Sequence, residues 1–112
     1  MLIEIHGREA ILDQIRLHFG DELQNAGYAV GPRIGQMETG RFTCYVKDDF
    51  IITTQITEES EASEGSLRIE SENEIPEMYS LWDAALVSYG KKIRENLLNF
   101  AHDKSKVENG LK

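Results

Sequence analysis

The sequence predicts an α+β domain in which an N-terminal helix and a long C-terminal helix accompany an antiparallel sheet of three to four strands. Apolar residues recur at helical spacing over residues 8–26, and again over residues 75–100. Between them, residues 42–47 and 50–57 alternate in side-chain character, which is typical of strands with one buried face. The predicted order is α-β-β-β-α, with or without a short leading strand.

The first elements are a short leading strand or extended segment and then a helix. Residues 2–6 alternate apolar and polar, and residues 8–26 place an apolar stripe on one helix face. Gly20 could end one helix before a second begins, or the helix could continue through it with a kink. Gly27 is a plausible helix stop, because glycine readily adopts the left-handed conformation.

The sheet is predicted around a hairpin whose turn is Asp48-Asp49. Residues 28–36 precede it as an extended connection with a turn, or as an edge strand. Residues 66–72 supply a third strand, with Leu67 and Ile69 facing inward and Arg68, Glu70 and Glu72 facing outward. Cys44 is expected on the inward face of its strand as a small hydrophobe.

The last element is a helix predicted over residues 76–103, which would be ~42 Å long. Such a helix is longer than a small sheet. The apolar residues toward its C-terminal end must therefore be covered by the first helix, a second protomer or a partner. We predict a single domain over residues 1–104 and a flexible tail over 105–112. If the helix forms a shared dimer interface, the residues expected there are Met78, Tyr79, Trp82, Tyr89 and Ile93.

Composition narrows the function classes. The chain has 112 residues, a net charge of −8 and one cysteine, so an internal disulfide is excluded and a reducing compartment is favoured. The N-terminus has no signal-peptide pattern and no apolar run is long enough to span a bilayer, which predicts a cytoplasmic protein. An acidic chain of this kind is not expected to bind nucleic acid or an anionic membrane surface directly.

Most of the net negative charge lies in one stretch, residues 58–77, which contains eight glutamates and a single basic residue, Arg68. One explanation is a solvated loop and edge strand that keep the protein soluble. The other is a docking surface for a basic protein, with nucleic-acid-handling proteins as one class of target. The predicted partner-binding residues are Glu58, Glu59, Glu61, Glu64, Glu70, Glu72 and Glu74.

The sequence offers little catalytic chemistry. His6, His18 and His102 are far apart and have no cysteine or second histidine at ligand spacing, so no metal site is predicted. The glycines do not form a phosphate-binding motif, and no nucleophile, base and orienting group can be assembled. We therefore expect no cofactor and no enzymatic activity.

Two family resemblances can be stated on particular residues. The order of elements, with GRFT opening a strand at 40–43, resembles the double-stranded-RNA-binding domain. That family carries lysines at the start of its last helix, whereas residues 72–77 here are acidic, which implies no RNA binding. ILDQIRLHFGDEL at 11–23 followed by GRFTCYVKDDFIITTQI at 40–56 resembles class I type III secretion chaperones, over about half the chain. That resemblance implies a dimeric escort protein, although the family's last two strands and third helix have no counterpart.

The leading hypothesis is a small, non-enzymatic protein that docks an acidic face on a basic partner. Inhibitors, immunity proteins and phage or mobile-element counter-defence proteins share this size and charge. The alternatives are a homodimeric escort protein, with the long helix as its interface, and a component of a larger assembly.

Overall fold

The structure is a computed structural model that describes residues 1–31, 40–58 and 63–110, without the side chains of residues 40–41 and 100–110. Its strands form one antiparallel sheet in the order β1-β5-β4-β3-β2. The α+β prediction is confirmed, with five strands in place of three to four. In chain order the elements are β1 (Leu2–Arg8), α1 (Glu9–Asn25), β2 (Ala29–Val30), β3 (Gly40–Lys47), β4 (Phe50–Glu58), β5 (Glu64–Ser71) and α2 (Glu77–Gly110).

The leading segment is a full edge strand. Strand β1 pairs with β5, so that Ile3 lies opposite Ile69 and Ile5 opposite Leu67. These pairs place apolar side chains on one face of the sheet and polar ones on the other. At the opposite edge β2 has only two residues, and the rest of the predicted segment 28–36 from residue 32 onward lies outside the described residues.

Both helices lie on one face of the sheet, and the core is between them and that face. Fully burying one large apolar side chain contributes ~1.5–3 kcal/mol to the stability of the fold. The largest completely buried apolar side chains come from α1, from the central strands and from α2, and are Phe19, Leu23, Ile52, Ile56, Leu67, Ile69 and Met78.

Helix α1 is continuous through Gly20, which settles the alternatives left by the sequence. Gly20 is buried against the side chain of Tyr45, so it serves close packing and does not end the helix. The helix ends as predicted at Gly27, whose φ is 98°. The amide of Tyr28 donates to the carbonyl of Leu23 at 3.0 Å and that of Gly27 to Gln24 at 3.0 Å, which is the Schellman arrangement.

The expectation that Cys44 faces the core is wrong. Tyr45 pairs with the buried Ile52 and belongs to the core, so Cys44 points to the face without helices, opposite Thr53. Cys44 is nevertheless only 3% exposed, because the chain at Gly31 lies against it and the Gly31 amide donates to the Cys44 carbonyl at 2.7 Å. Alternation separates the two faces of a strand but does not say which one the helices cover.

Helix α2 is longer than predicted. It has 34 residues and runs to Gly110, beyond the expected end at Asp103, which corresponds to ~51 Å. It runs antiparallel to α1, since Trp82 contacts Phe19 while Ile93 lies beside Ile11, near the start of α1. The distal part of α2 therefore extends past the first helix, as expected from its length. None of the helices in the described ranges is long and apolar enough to cross a bilayer.

Candidate protein-docking site

Five carboxylate residues gather at one end of the sheet. The pairing of Ile52 with Ser71 places the start of β4 beside the end of β5. The β3–β4 turn and the connection from β5 to α2 therefore lie at the same end. We call this group the acidic corner, and it consists of Asp48, Asp49, Glu72, Glu74 and Glu77, all of which are exposed.

A groove of about 420 Å³ opens within the acidic corner. Phe50, 38% exposed, and the buried Ile75 give it an apolar lining together with Pro76. Asp48, Glu77 and Lys47 complete the lining with charged groups. An apolar surface bordered by carboxylates suits a segment that carries both an apolar side chain and basic side chains.

Backbone contacts order the connection between β5 and α2. The Ser71 hydroxyl donates to the Asn73 carbonyl at 2.7 Å, and the amide of Ile75 donates to Met1 Sδ at 2.9 Å. The amide of Met78 donates to the Ile75 carbonyl at 2.9 Å and so begins the turn that leads into α2. The carboxylates of Glu72 and Glu74 are therefore carried on a fixed segment.

Tyr28 links the end of α1 to the acidic corner. Its hydroxyl donates to Glu77 Oε1 at 3.1 Å. Lys47 Nζ lies 5.5 Å from the centre of the Tyr28 ring and donates to the Ala26 carbonyl at 2.8 Å. Burial, the hydrogen bond to the Glu77 carboxylate and the negative charges of Glu77 and Asp48 together raise the pKa of Tyr28 to about 12. Part of that rise in the pKa of Tyr28 is therefore caused by the negative charge of the acidic corner.

The glutamates predicted as one docking array are divided among separate places. Glu58 ends β4 and Glu64 begins β5, at the end of the sheet opposite the acidic corner. Glu70 is on the face of the sheet without helices. Only Glu72 and Glu74 belong to the acidic corner, and Glu59 and Glu61 lie outside the described residues.

Glu70 differs from Glu72 and Glu74 in having a basic partner. Arg68 Nε lies 3.5 Å from Glu70 Oε2, and Arg68 Nη1 lies 4.0 Å from Glu4 Oε2 on the neighbouring strand. The charges on this strand face therefore alternate in sign, so opposite charges lie next to one another. Within the described ranges, no ion pair joins Glu72 or Glu74 to another residue.

Sequence reasoning missed the contribution of the hairpin turn to this site. The sequence pattern identifies Asp48-Asp49 only as a turn and Phe50 only as a strand residue. The available signal was strand pairing, because in an antiparallel β4–β5 pair the start of one strand must meet the end of the other. Applying that rule would have placed Asp48 and Asp49 beside residues 72–77.

The residues predicted for a dimer interface fall into two groups. Met78 is completely buried and Trp82 is 8% exposed, with the Trp82 ring packed edge-on against Phe19 at 5.7 Å between centroids. Their side chains belong to the core of the protomer, as part of Tyr89 does. Tyr79 and Ile93 are 53% and 41% exposed and remain accessible.

Among the described residues, the candidate catalytic groups His6, His18 and Cys44 lie on separate elements, β1, α1 and β3. Among the residues that are described, no three His, Cys, Asp or Glu side chains are arranged to hold a metal ion. Burial raises the pKa of the Cys44 thiol, which disfavours the nucleophilic thiolate. His18 Nδ1 lies 3.1 Å from the Ser88 hydroxyl, where it joins the two helices. The side chain of His102 lies outside the described residues.

Comparison with known proteins finds a structural likeness but no family. No protein-family model matches the chain, and no curated protein matches it. The crystal structure of the vertebrate conserved region of human METTL16 is similar with a TM-score of 0.48 at 8% identity, covering 81% of this chain and 96% of that one. A likeness of that degree carries no argument about function.

Proposed function

We propose that this chain is a small, non-enzymatic binding protein that docks the acidic corner on a basic protein partner. It would act as an inhibitor, an immunity protein or a counter-defence protein of a phage or mobile element, in the cytoplasm. The proposal includes no cofactor, no direct contact with nucleic acid and no membrane association.

The observation that supports this proposal is the groove next to the exposed carboxylates. Asp48 and Glu77 line the groove together with Phe50, whose apolar surface is accessible, and Glu72 and Glu74 stand on the ordered connection that leads into it. Carboxylates at the rim would attract a basic partner and orient it. The apolar lining would then supply the burial that slows dissociation. Bound in this way, the protein would act by covering the basic surface of its partner.

The placement of the glutamates refines the earlier hypothesis about which residues matter. Glu70 shares Arg68 with Glu4, so its charge is partly neutralised within the protomer. Glu58 and Glu64 are too far away to act on the same groove, since β5 alone spans ~26 Å over its eight residues. We therefore assign the larger contribution to Glu72 and Glu74.

Capture of the partner under matched conditions tests the proposal. Immobilised wild-type protein and the variant Glu72→Gln/Glu74→Gln are exposed to an extract of the source cells at low salt, and bound proteins are identified by mass spectrometry. The wild type should retain a protein rich in lysine and arginine that the variant loses. The same protein should elute at ~0.15 M salt or above, where screening acts over ~8 Å.

Two further variants make the test specific. Asp21→Asn/Glu95→Gln removes the same amount of charge from exposed helix positions and should retain the partner. Glu58→Gln/Glu64→Gln removes it from the opposite end of the sheet and should also retain the partner. Equal capture by the wild type and the Glu72/Glu74 variant would contradict docking at the acidic corner.

A second candidate function, a dimeric escort protein, is favoured by a different observation. Helix α2 exposes Leu86, Ile93 and Leu97, which are 38%, 41% and 64% accessible. An escort protein that dimerises would cover such a surface. A component of a larger assembly is a third option with the same requirement.

A further inference from the structure

We propose that two copies of this chain pair through α2 in antiparallel orientation, with Gly90 at the crossing point. The contact surface is the distal stripe, defined as Leu86, Gly90, Ile93 and Leu97. This inference goes beyond the docking function and does not depend on it, because it involves a different surface and a different partner.

The distal stripe is a partly exposed face of α2, and its member Ile93 lies at the edge of the contact with α1, beside Ile11. Its residues are spaced by four, three and four positions, the spacing that aligns side chains along a helix. Leu86 is 38% exposed, Ile93 41% and Leu97 64%. The first helix covers the neighbouring face, where Tyr89 and Ser88 meet His18.

No contact among the described residues of the protomer explains why position 90 is a glycine. It lies in the interior of α2, where glycine costs ~1 kcal/mol relative to alanine. Within the described part of the chain, a Cβ built at Gly90 would meet no atom within 4 Å, so no packing there requires a glycine. Gly20 is the contrast, because a Cβ there would collide with Tyr45. A glycine between exposed apolar residues allows a second helix to approach closely.

Charge indicates a second copy of the chain and its direction. Residues 77–90 of α2 contain Glu77 and Asp83 and no lysine or arginine, whereas residues 91–99 contain Lys91, Lys92 and Arg94 with one glutamate, Glu95. An antiparallel pair that crosses at Gly90 places residues 81–89 of each helix, in which Asp83 is the one charged residue, level with the basic residues 91–99 of the other. A parallel pair would place like charges together.

The crossing at Gly90 also predicts one specific ion pair. About a two-fold axis at Gly90, position 90 − n lies at the level of 90 + n in the second copy. Asp83 then lies level with Leu97 of the second copy, within one helical turn of Arg94. At 100° per residue, Asp83 and Arg94 are on the same side of the distal stripe.

Sedimentation velocity of the full chain over a concentration series tests the pairing. The wild type should form a dimer, and Leu97→Glu should weaken it at least ~10-fold. Leu98→Glu is the matched control, because Leu98 is 61% exposed, one position away and on a different face, and it should leave the dimer unchanged. A monomeric wild type, or equal effects of the two substitutions, would overturn the proposal.

The remaining variants change Gly90 and the charged residues Asp83 and Arg94. Gly90→Leu should raise the helicity of the monomer while weakening the dimer, a combination that a purely structural role of Gly90 would not give. Asp83→Lys should weaken the dimer, and adding Arg94→Glu should restore it. A double variant no stronger than Asp83→Lys alone would contradict the Asp83–Arg94 pair.

Cross-linking distinguishes the two orientations. An antiparallel crossing at Gly90 brings the two copies of that position together, so Gly90→Cys should oxidise to a disulfide-linked dimer. The two copies of position 97 would lie ~21 Å apart, so Leu97→Cys should not. Efficient cross-linking at both positions would indicate a parallel pair. All of these readouts use the purified protein alone, so a failed dimer and a failed acidic docking site give separate results.

Discussion

The hydroxyl of Tyr45 occupies the space in which a side chain at Gly20 would lie. Tyr45 points from β3 into the core and Gly20 is buried on α1, so the two residues fix how closely this helix approaches the sheet. The absence of a side chain at Gly20 is therefore a packing requirement of the fold.

Replacing Gly20 with alanine should destabilise the protein. Alanine gains ~1 kcal/mol of helix propensity, but displacing a buried tyrosine costs typically ~1–3 kcal/mol. We expect a net loss, measured as a lower midpoint in denaturant unfolding. Gly90→Ala is the control at a glycine with free space, and it should stabilise the monomer when measured at high dilution.

A second substitution separates the steric cause from other effects of the alanine. Tyr45→Phe removes the hydroxyl and should recover part of the stability lost in Gly20→Ala. A Gly20→Ala variant as stable as Gly90→Ala would show that the Gly20–Tyr45 contact does not constrain the fold.

Tyr28 should make stability depend on pH in the alkaline range. Its pKa in the folded state is about 12, above the ordinary value of 10.0, because of burial, the hydrogen bond to Glu77 and nearby negative charge. The folded chain therefore holds the phenolic proton more tightly than the unfolded chain. This contribution is complete below pH 10 and is lost as the pH rises toward 12.

Spectroscopic titration of phenolate absorbance measures this effect. Subtracting the curve of Tyr28→Phe isolates Tyr28, and Glu77→Gln should lower its pKa while burial keeps it above the ordinary value. Burial also raises the pKa of Tyr45, so Tyr45→Phe is the necessary control. An unchanged Tyr28 titration in Glu77→Gln would argue against the Tyr28–Glu77 bond.

Trp82 should be required for folding. Because its ring packs on Phe19 in the core, Trp82→Ala should cost ~3–5 kcal/mol, out of a typical total of ~5–15 kcal/mol. Trp82→Asp should unfold the chain, as seen by circular dichroism. Tyr79→Asp, on the exposed side of the same helix, should change stability by less than ~0.5 kcal/mol. A folded, monomeric Trp82→Asp variant would instead identify Trp82 as an interface residue.

Cys44 should react with iodoacetamide only when the chain opens. The thiol is 3% exposed and its pKa is raised by burial, so both access and thiolate formation are restricted. We expect native labelling to be at least ~100-fold slower than labelling in denaturant, since it requires an opening reaction. Comparable rates in the two conditions would contradict the burial of Cys44.

The helices and strands were predictable because the sequence patterns that mark them depend on neighbouring residues. The alternation around Asp48-Asp49, the apolar stripe through Trp82 and the glycine stop at Gly27 each depend on neighbouring residues, and each matches the structure. The length of α2 was underestimated, because a polar C-terminal sequence such as SKVENG carries no apolar stripe to mark it.

The site was less predictable because its residues meet only through strand pairing. Charge alone predicts Glu72 and Glu74 as site residues, but their position at the same end of the sheet as Asp48 and Phe50 depends on the register of β4 against β5. The pairing of Arg68 with both Glu70 and Glu4 likewise depends on the pairing of β1 with β5. Sequence charge alone therefore overestimated the acidic character of the strand face.

The most direct test of the docking proposal is the rate at which the protein associates with its captured basic partner, measured by stopped flow at low salt and at ~0.15 M salt. We predict that raising the salt slows association of the wild type, and that Glu72→Gln/Glu74→Gln slows it severalfold at low salt while changing dissociation less. Asp21→Asn/Glu95→Gln should associate like the wild type. An association rate that is the same for the wild type and the Glu72/Glu74 variant would contradict the proposal.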